Sequence, residues 1–317
     1  MKVLVISGFL GAGKTTFIKH LIKTTKKEFV ILENEYGQNS LDSRDIKSNS
    51  NVDLQLLEFM EGCVCCTKKD NFSDTLVAIS AGIDSEYLIV EPTGVGKLSN
   101  ILDAIKKVSY EKIKLLDAVL ILSPLSFESN MNIYQDIYKD QIINAKYIFF
   151  SKNENVDVSY LENIVTKIRE LNPNAIIISS HYSSLDNSYF ETLLKSESEV
   201  EIKKENSKKK SEFQTINLSN GYLNNIGELI IFLEDVIHYS FGNIPRAKGI
   251  IKVGNEFIRF DVADKMYAVI GSEEDITECV FIGNNMDINH ITRRLNSYND
   301  IVELIKPISK RKISFNK

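Results

Sequence analysis

The chain has 317 residues, 43% of them hydrophobic and 26% charged, with a formal net charge of −5. That length suits two domains of ordinary size, and the composition is that of a soluble globular protein. The acidic balance excludes the broad basic face of a nucleic-acid binder, and no apolar run approaches a membrane span. Met1-Lys2 leads straight into a strand with no signal-peptide pattern, so the expected location is the cytoplasm. There the 4 cysteines are expected to be reduced, and a cluster of them points to a metal or redox site.

The first strand is Lys2 to Ile6, apolar and rich in β-branched residues. It runs into Gly8-Phe9-Leu10-Gly11-Ala12-Gly13-Lys14-Thr15-Thr16. Apolar residues then recur at helical spacing from Phe17 to Ile22. A glycine-rich loop between a buried strand and a helix is the context a Walker A motif requires, and every position of G-x-x-x-x-G-K-[ST] is filled. The chemistry explains the residue types. Gly8, Gly11 and Gly13, with the small Ala12, let backbone N–H groups curl round phosphate oxygens. The helix N-terminus, with Thr16, adds donors and a positive dipole end. Lys14 is expected to reach the β- and γ-phosphates, and the Thr15 hydroxyl to ligate Mg²⁺.

Phe29 to Leu32 reads as a second strand, followed by a polar stretch from Glu33 to Ser50 where a phosphate-sensing switch is expected. Leu54 to Phe59 reads as a third strand. It ends in Glu61-Gly62-Cys63-Val64-Cys65-Cys66. A helix with Phe72, Leu76 and Ile79 on one face is expected over 70–79. Strands at 87–90, 118–122, 147–150 and 175–178 alternate with helices near 98–108, 131–143 and 160–171. Such alternation, with nearly continuous apolar strands, predicts a mostly parallel sheet covered by helices on both faces. The segment 191–212 is dominated by Lys, Glu, Ser and Asn and reads as a charged, solvated linker. Beyond it, 213–317 is expected to form a smaller α+β domain. Its elements are a strand at 213–218, a helix over 226–237, antiparallel strands at 250–253, 257–260, 266–269 and 279–283, and a last helix at 288–295. Gly242 and Pro245 are expected to break the chain. The first domain is then 1–190.

Three constellations carry chemistry. Glu91-Pro92-Thr93-Gly94 closes a buried strand. A carboxylate there sits near the Mg²⁺ and its waters, and a glycine three residues on lets an N–H approach the γ-phosphate. Cys63, Cys65 and Cys66 are too close together for relaxed disulfides. Thiolates at this density suit Zn²⁺ or a similar metal, with a fourth ligand supplied from elsewhere or left open. Ser151-Lys152-Asn153-Glu154 follows a strand where P-loop GTPases carry N-K-x-D. Lys152 is in place, while Ser replaces Asn and Glu154 offers its carboxylate one methylene further out. Cys279 reads as core packing, and none of His20, His181, His238 and His290 has metal-ligand spacing to another.

The motifs GFLGAGKTT (8–16), NEYG (34–37), GCVCC (62–66) and EPTG (91–94) resemble those of the CobW-type P-loop GTPases that act as metallochaperones, relatives of UreG and HypB. PRAKGI (245–250) and VFIG (280–283) resemble that family's C-terminal domain. The resemblance implies GTP/GDP binding and hydrolysis coupled to delivery of a transition metal, zinc or cobalt, to a client metalloprotein. It implies metal ligation by Cys63, Cys65 and Cys66, with Glu35 as a further carboxylate ligand. Lys14, Thr15 and Glu91 become the catalytic set, and Gly94, Lys152 and Glu154 join the phosphate loop in holding the nucleotide. Gln38 departs from the family's acidic residue, and no His-rich segment is present. Nucleic acid and membrane are not expected as partners, and a homodimer is compatible with the sequence. The competing readings are an ATP-dependent small-molecule kinase and a zinc-binding interaction protein with a structural nucleotide.

Overall fold

The computed structural model describes residues 1–33, 55–58, 69–109, 112–199, 201–203 and 213–295. The chain divides into two compact units, Met1–Phe213 and Gln214–Lys317.

The first unit begins β1 (Lys2–Gly8), α1 (Lys14–Thr25), β2 (Phe29–Glu33), β3 (Gln55–Glu58), α2 (Lys69–Gly82), β4 (Tyr87–Glu91) and α3 (Leu98–Val108). It continues β5 (Lys114–Leu115), β6 (Val119–Leu122), α4 (Phe127–Ile133), α5 (Gln135–Asn144), β7 (Tyr147–Phe150), α6 (Val158–Leu171), β8 (Ile176–Ile178) and α7 (Asn187–Leu193). The strands form one sheet in the order β3-β2-β4-β1-β6-β7-β8, with β5 beside β1. Every pairing is parallel. Parallel strands must be covered on both faces, and β1 shows it: Val3, Leu4, Val5 and Ile6 are all fully buried. On one face Phe17 of α1 packs against Phe149 of β7 and Phe190 of α7, with ring centroids 4.8 and 6.2 Å apart. Because β1 lies at the middle of the sheet, the loop after it opens at the centre of the sheet's C-terminal edge, where ligands of such folds bind.

Two expectations change here. The single helix expected over 131–143 is two helices that meet at Tyr134, whose φ of −120° and ψ of 35° leave the helical region. Leaving the helix lets the Tyr134 ring lie against Phe9 and Phe213, at centroid distances of 4.9 and 5.0 Å. The start of the segment expected to be a solvated linker is in contact with the sheet. Leu193 and Leu194 are fully buried. Asp117 N–H donates to Ser196 O, Ser198 N–H to Leu115 O, and Lys203 N–H to Asn144 Oδ1. These bonds pair polar groups of the segment with Leu115, Asp117 and Asn144, and hold it there despite its low apolar content. Residues 204–212 lie outside the described residues.

The second unit comprises β9 (Gln214–Ser219), β10 (Tyr222–Leu223), α8 (Ile226–Ile237), β11 (Asn243–Val253), β12 (Glu256–Ala263), β13 (Met266–Gly271), β14 (Glu278–Asn284) and α9 (Ile288–Leu295). The sheet order is β13-β12-β11-β14-β9, with β10 beside β11. These five strands are antiparallel, with hairpin connections between β11, β12 and β13. Helix α8 starts where Asn225 accepts the Glu228 N–H at 3.0 Å and Glu228 accepts the Asn224 N–H, a reciprocal cap. Its Phe232 and Leu233 pack with Ile251, Phe260 and Phe281 of the sheet and Ile291 of α9. Pro245 does not end the chain's regular structure as expected. It lies inside β11, at the register shift between Asn243 and Arg246. A bulge tolerates a residue without an N–H.

Candidate nucleotide site

The phosphate loop is shaped by its backbone. The Ala12 N–H donates to Phe9 O at 3.1 Å, closing a turn. Gly11 (φ 74°) and Gly13 (φ 92°) lie in the left-handed region that glycine enters without cost. At Gly8 the limit is space instead, since a Cβ there stands 2.6 Å from Ile121 O of the neighbouring strand. Gly13 then caps α1 with no side-chain hydrogen bond, so the first amides of the helix are left to an external acceptor. Thr16 is exposed at this end.

Lys14 and Thr15, the first helical residues, meet Glu91 from the end of β4. Thr15 Oγ1 donates to Glu91 Oε1 at 3.1 Å. Lys14 Nζ lies 3.9 Å from the same oxygen and donates to Gly8 O at 3.3 Å. The Lys14 and Glu91 side chains are only 11% and 12% exposed. An ammonium thus sits inside the loop's curl beside two hard oxygens. A hydroxyl and a carboxylate so placed fit the donor set Mg²⁺ takes in addition to phosphate oxygens. When bound, Mg²⁺ supplies charge neutralisation between phosphate oxygens.

The segment after Glu91 is pinned to the phosphate loop. Gly94 faces Leu10 so closely that a Cβ would come within 2.6 Å of Leu10 N. From below, α5 holds the same segment. Gln141 Nε2 donates to Gly94 O (3.1 Å) and Gly96 O (2.9 Å). Asp140 Oδ1 accepts the Ser99 N–H at 3.0 Å, serving the first turn of α3. Burial pushes the Asp140 carboxyl above its ordinary range, with the Ser99 contacts opposing. Asp140 and Gln141 are supports that sequence reasoning missed. The signal available was slight: two polar residues where α5 otherwise buries Ile137, Tyr138 and Ile142.

Across the sheet edge, the loop after β7 carries Ser151 to Glu154. Ser151 Oγ donates to Ala12 O at 2.6 Å, so the serine standing where N-K-x-D has asparagine ties this loop to the phosphate loop. Lys152 takes a left-handed backbone (φ 54°). Asn153 is buried and its Nδ2 donates to Ser179 O at 2.5 Å. Glu154 is exposed, and its Oε1 lies 3.3 Å from His181 Nε2. The structure therefore brings Gly8, Gly11, Ala12, Gly13, Lys14, Thr15, Thr16, Glu91, Gly94, Lys152 and Glu154 to one edge of one sheet.

Glu35, Cys63, Cys65 and Cys66, the metal ligands implied by the resemblance, lie outside the described residues. Among the described residues no group of three His, Cys, Asp or Glu side chains is arranged to hold a metal. Cys279 is fully buried in β14, and burial pushes its thiol up to about 12, as a packing residue requires. Among the described residues no helix is long and apolar enough to cross a membrane.

A parallel sheet with an uncapped glycine loop at its central strand, and a lysine, a hydroxyl and a carboxylate converging there, defines a nucleotide-binding domain of the P-loop class. The family model for the CobW/HypB/UreG nucleotide-binding domain matches residues 2–179, and the chain belongs to that family. Among curated proteins it is 24% identical to the zinc chaperone YjiA of Escherichia coli over 304 residues, covering 89% of this chain and 93% of the relative. It is 30% identical to the zinc chaperone YeiR of the same organism over 153 residues, a match that spans only 46% of that relative. Among solved structures, Zn(II)-bound YjiA GTPase from E. coli aligns over 93% of this chain and 97% of its own, with 17% identity and a TM-score of 0.46.

Proposed function

We propose that this chain binds and hydrolyses GTP with Mg²⁺, and uses that cycle to load a transition metal, zinc or cobalt, onto a client metalloprotein. The observation that carries the nucleotide half is the convergence of Lys14 Nζ and Thr15 Oγ1 on Glu91 Oε1, at 3.9 and 3.1 Å, beneath an uncapped helix start. In this reading Lys14 meets the β- and γ-phosphates, Thr15 and Glu91 hold the Mg²⁺, and the Gly94 N–H approaches the γ-phosphate. Ser151 and Lys152 frame the base, and the Glu154 carboxylate accepts from guanine N1–H and N2–H₂. The relatives named zinc chaperones support the metal half, as do the three thiols Cys63, Cys65 and Cys66 that follow β3 in the sequence. The metal is cargo, bound by Cys63, Cys65, Cys66 and Glu35, and nucleotide state and metal occupancy bias each other reciprocally.

The test is a turnover assay of GTP against ATP over a zinc and cobalt series, on the native chain and on Cys65→Ser/Cys66→Ser. Expected are GTP preference, slow hydrolysis on the order of ~10⁻⁴–10⁻² s⁻¹ as in switch GTPases without an activator, and a sulfur-to-cobalt charge-transfer band. The band should be lost in the double variant, and its titration midpoint should differ between GDP and GTP-analogue states. ATP used as well as GTP moves the reading to the kinase alternative. Identical metal affinity in both nucleotide states leaves a zinc-binding GTPase without the chaperone cycle.

A further inference from the structure

We infer that His181 is a positioning residue that sets base selectivity by holding the Glu154 carboxylate, an inference that rests on the guanine reading above. The argument starts from which ring nitrogen carries the proton. His181 Nδ1 accepts the Ser183 N–H at 3.2 Å, across the first turn of the short 3₁₀ segment Tyr182–Ser184. A ring nitrogen that accepts a backbone N–H has no proton of its own, so in the neutral imidazole the proton sits on Nε2. Nε2 is the atom 3.3 Å from Glu154 Oε1. The contact therefore sets the N–H side of the ring against the carboxylate, and this close polar approach does not require a charged histidine.

The ring is also held in place. It stacks on Tyr182 with centroids 4.4 Å apart and planes 28° from parallel. Tyr182 is buried and packs edge-on against Phe17 of α1 at 5.0 Å. So a rigid path of rings runs from the hydrophobic core to the exposed carboxylate. A second tie joins the same two loops, the Asn153 Nδ2 bond to Ser179 O at 2.5 Å. Glu154 has one more rotatable bond than an aspartate, and on its own its oxygens sample more positions. With Oε1 set 3.3 Å from the held His181 ring, the Glu154 carboxylate samples fewer directions, which favours the two donors of a guanine edge. Adenine offers no such donor pair, so orientation of this carboxylate improves GDP binding and leaves ADP binding alone.

The experiment measures GDP and ADP dissociation constants by calorimetry on the full chain, native and with His181→Ala, His181→Gln, Glu154→Gln and the His181→Ala/Glu154→Gln pair. The GDP-over-ADP ratio should fall about fivefold in His181→Ala, the scale of an exposed charged contact, with the ADP constant unmoved. His181→Gln keeps an N–H donor at similar reach and should restore most of the ratio. In the Glu154→Gln background, His181→Ala should change the ratio no further. A native preference that persists or sharpens in His181→Ala overturns this inference alone, as does an equal loss in the Glu154→Gln background. A native chain that binds ADP as well as GDP overturns the guanine reading, and this inference with it.

Discussion

The two ends of the candidate site are built by different means. At the phosphate end the determinants are backbone: positive φ at Gly11 and Gly13, and at Gly8 and Gly94 neighbouring main-chain atoms 2.6 Å from where a Cβ would stand. At the base end they are side-chain contacts across loops: the hydrogen bonds of Ser151 to Ala12 O and Asn153 to Ser179 O, and His181 set against Glu154. Backbone requirements admit almost one residue type per position, whereas a hydrogen bond across a loop can be made by several. The phosphate end should therefore fail abruptly under substitution and the base end by degrees.

The comparison is broken hardest at Lys14. Lys14→Ala removes the ammonium enclosed by the loop, and GTP affinity should fall by about 3 kcal/mol, roughly a hundredfold. The melting temperature should stay within a few degrees. Calorimetry beside a thermal melt checks both, and unchanged affinity removes the phosphate-loop assignment. Gly94→Ala comes next. Its Cβ meets main-chain atoms of Leu10 that cannot rotate away, so a loss of about 1–3 kcal/mol of stability is expected, with at least tenfold weaker nucleotide binding as Leu10 shifts. Wild-type melting in that variant means the two loops slide freely past each other.

Smaller effects sharpen the contrast at the base end. Ser151→Ala leaves the Ala12 carbonyl without its donor and should cost about 1 kcal/mol of stability, read from denaturant unfolding. The smallest effect concerns the support beneath the Glu91 loop. The Asp140 carboxyl is raised by burial, so the folded chain binds its proton more tightly than the unfolded chain does. Its contribution to stability is therefore greatest below the ordinary value of 3.8 and is lost as pH rises through the folded pKa. Asp140→Asn keeps an oxygen for the Ser99 N–H without the charge. Its stability relative to the native chain should rise with pH above about 4 and converge in acid. A constant difference across that range would mean that Asp140 does not titrate in it.

How much was legible in the sequence follows the same division. Gly8 to Thr16 and Glu91 to Gly94 could be read because each residue type answers a local backbone or charge requirement. The parallel sheet could be read because β6 and β7 are apolar throughout and β1 and β4 carry unbroken apolar runs at Val3–Ile6 and Tyr87–Val90. Ser151, Asn153 and His181 looked like departures or ordinary residues, because their partners Ala12, Ser179 and Glu154 are set by the fold and by no spacing in the chain. Asp140 and Gln141 were hidden in a helix for the same reason. Pro245 was read as a break because local chemistry says so, and only the register shift in β11 shows where a strand accommodates it. The helix broken at Tyr134 has no proline or glycine at the break. Its cause is a ring packed on Phe9, a tertiary contact.

The bond from Ser151 to Ala12 joins residues 139 apart in the chain. Chains are made from the N-terminus, and domains settle as their parts emerge. The phosphate loop leaves the ribosome before β4, β6 and β7, and its tie to Ser151 can form only after they have been made. Long-range closures of this kind are slow. A nucleotide that needs the tied loop therefore binds late, and its arrival reports that nearly the whole sheet has been assembled.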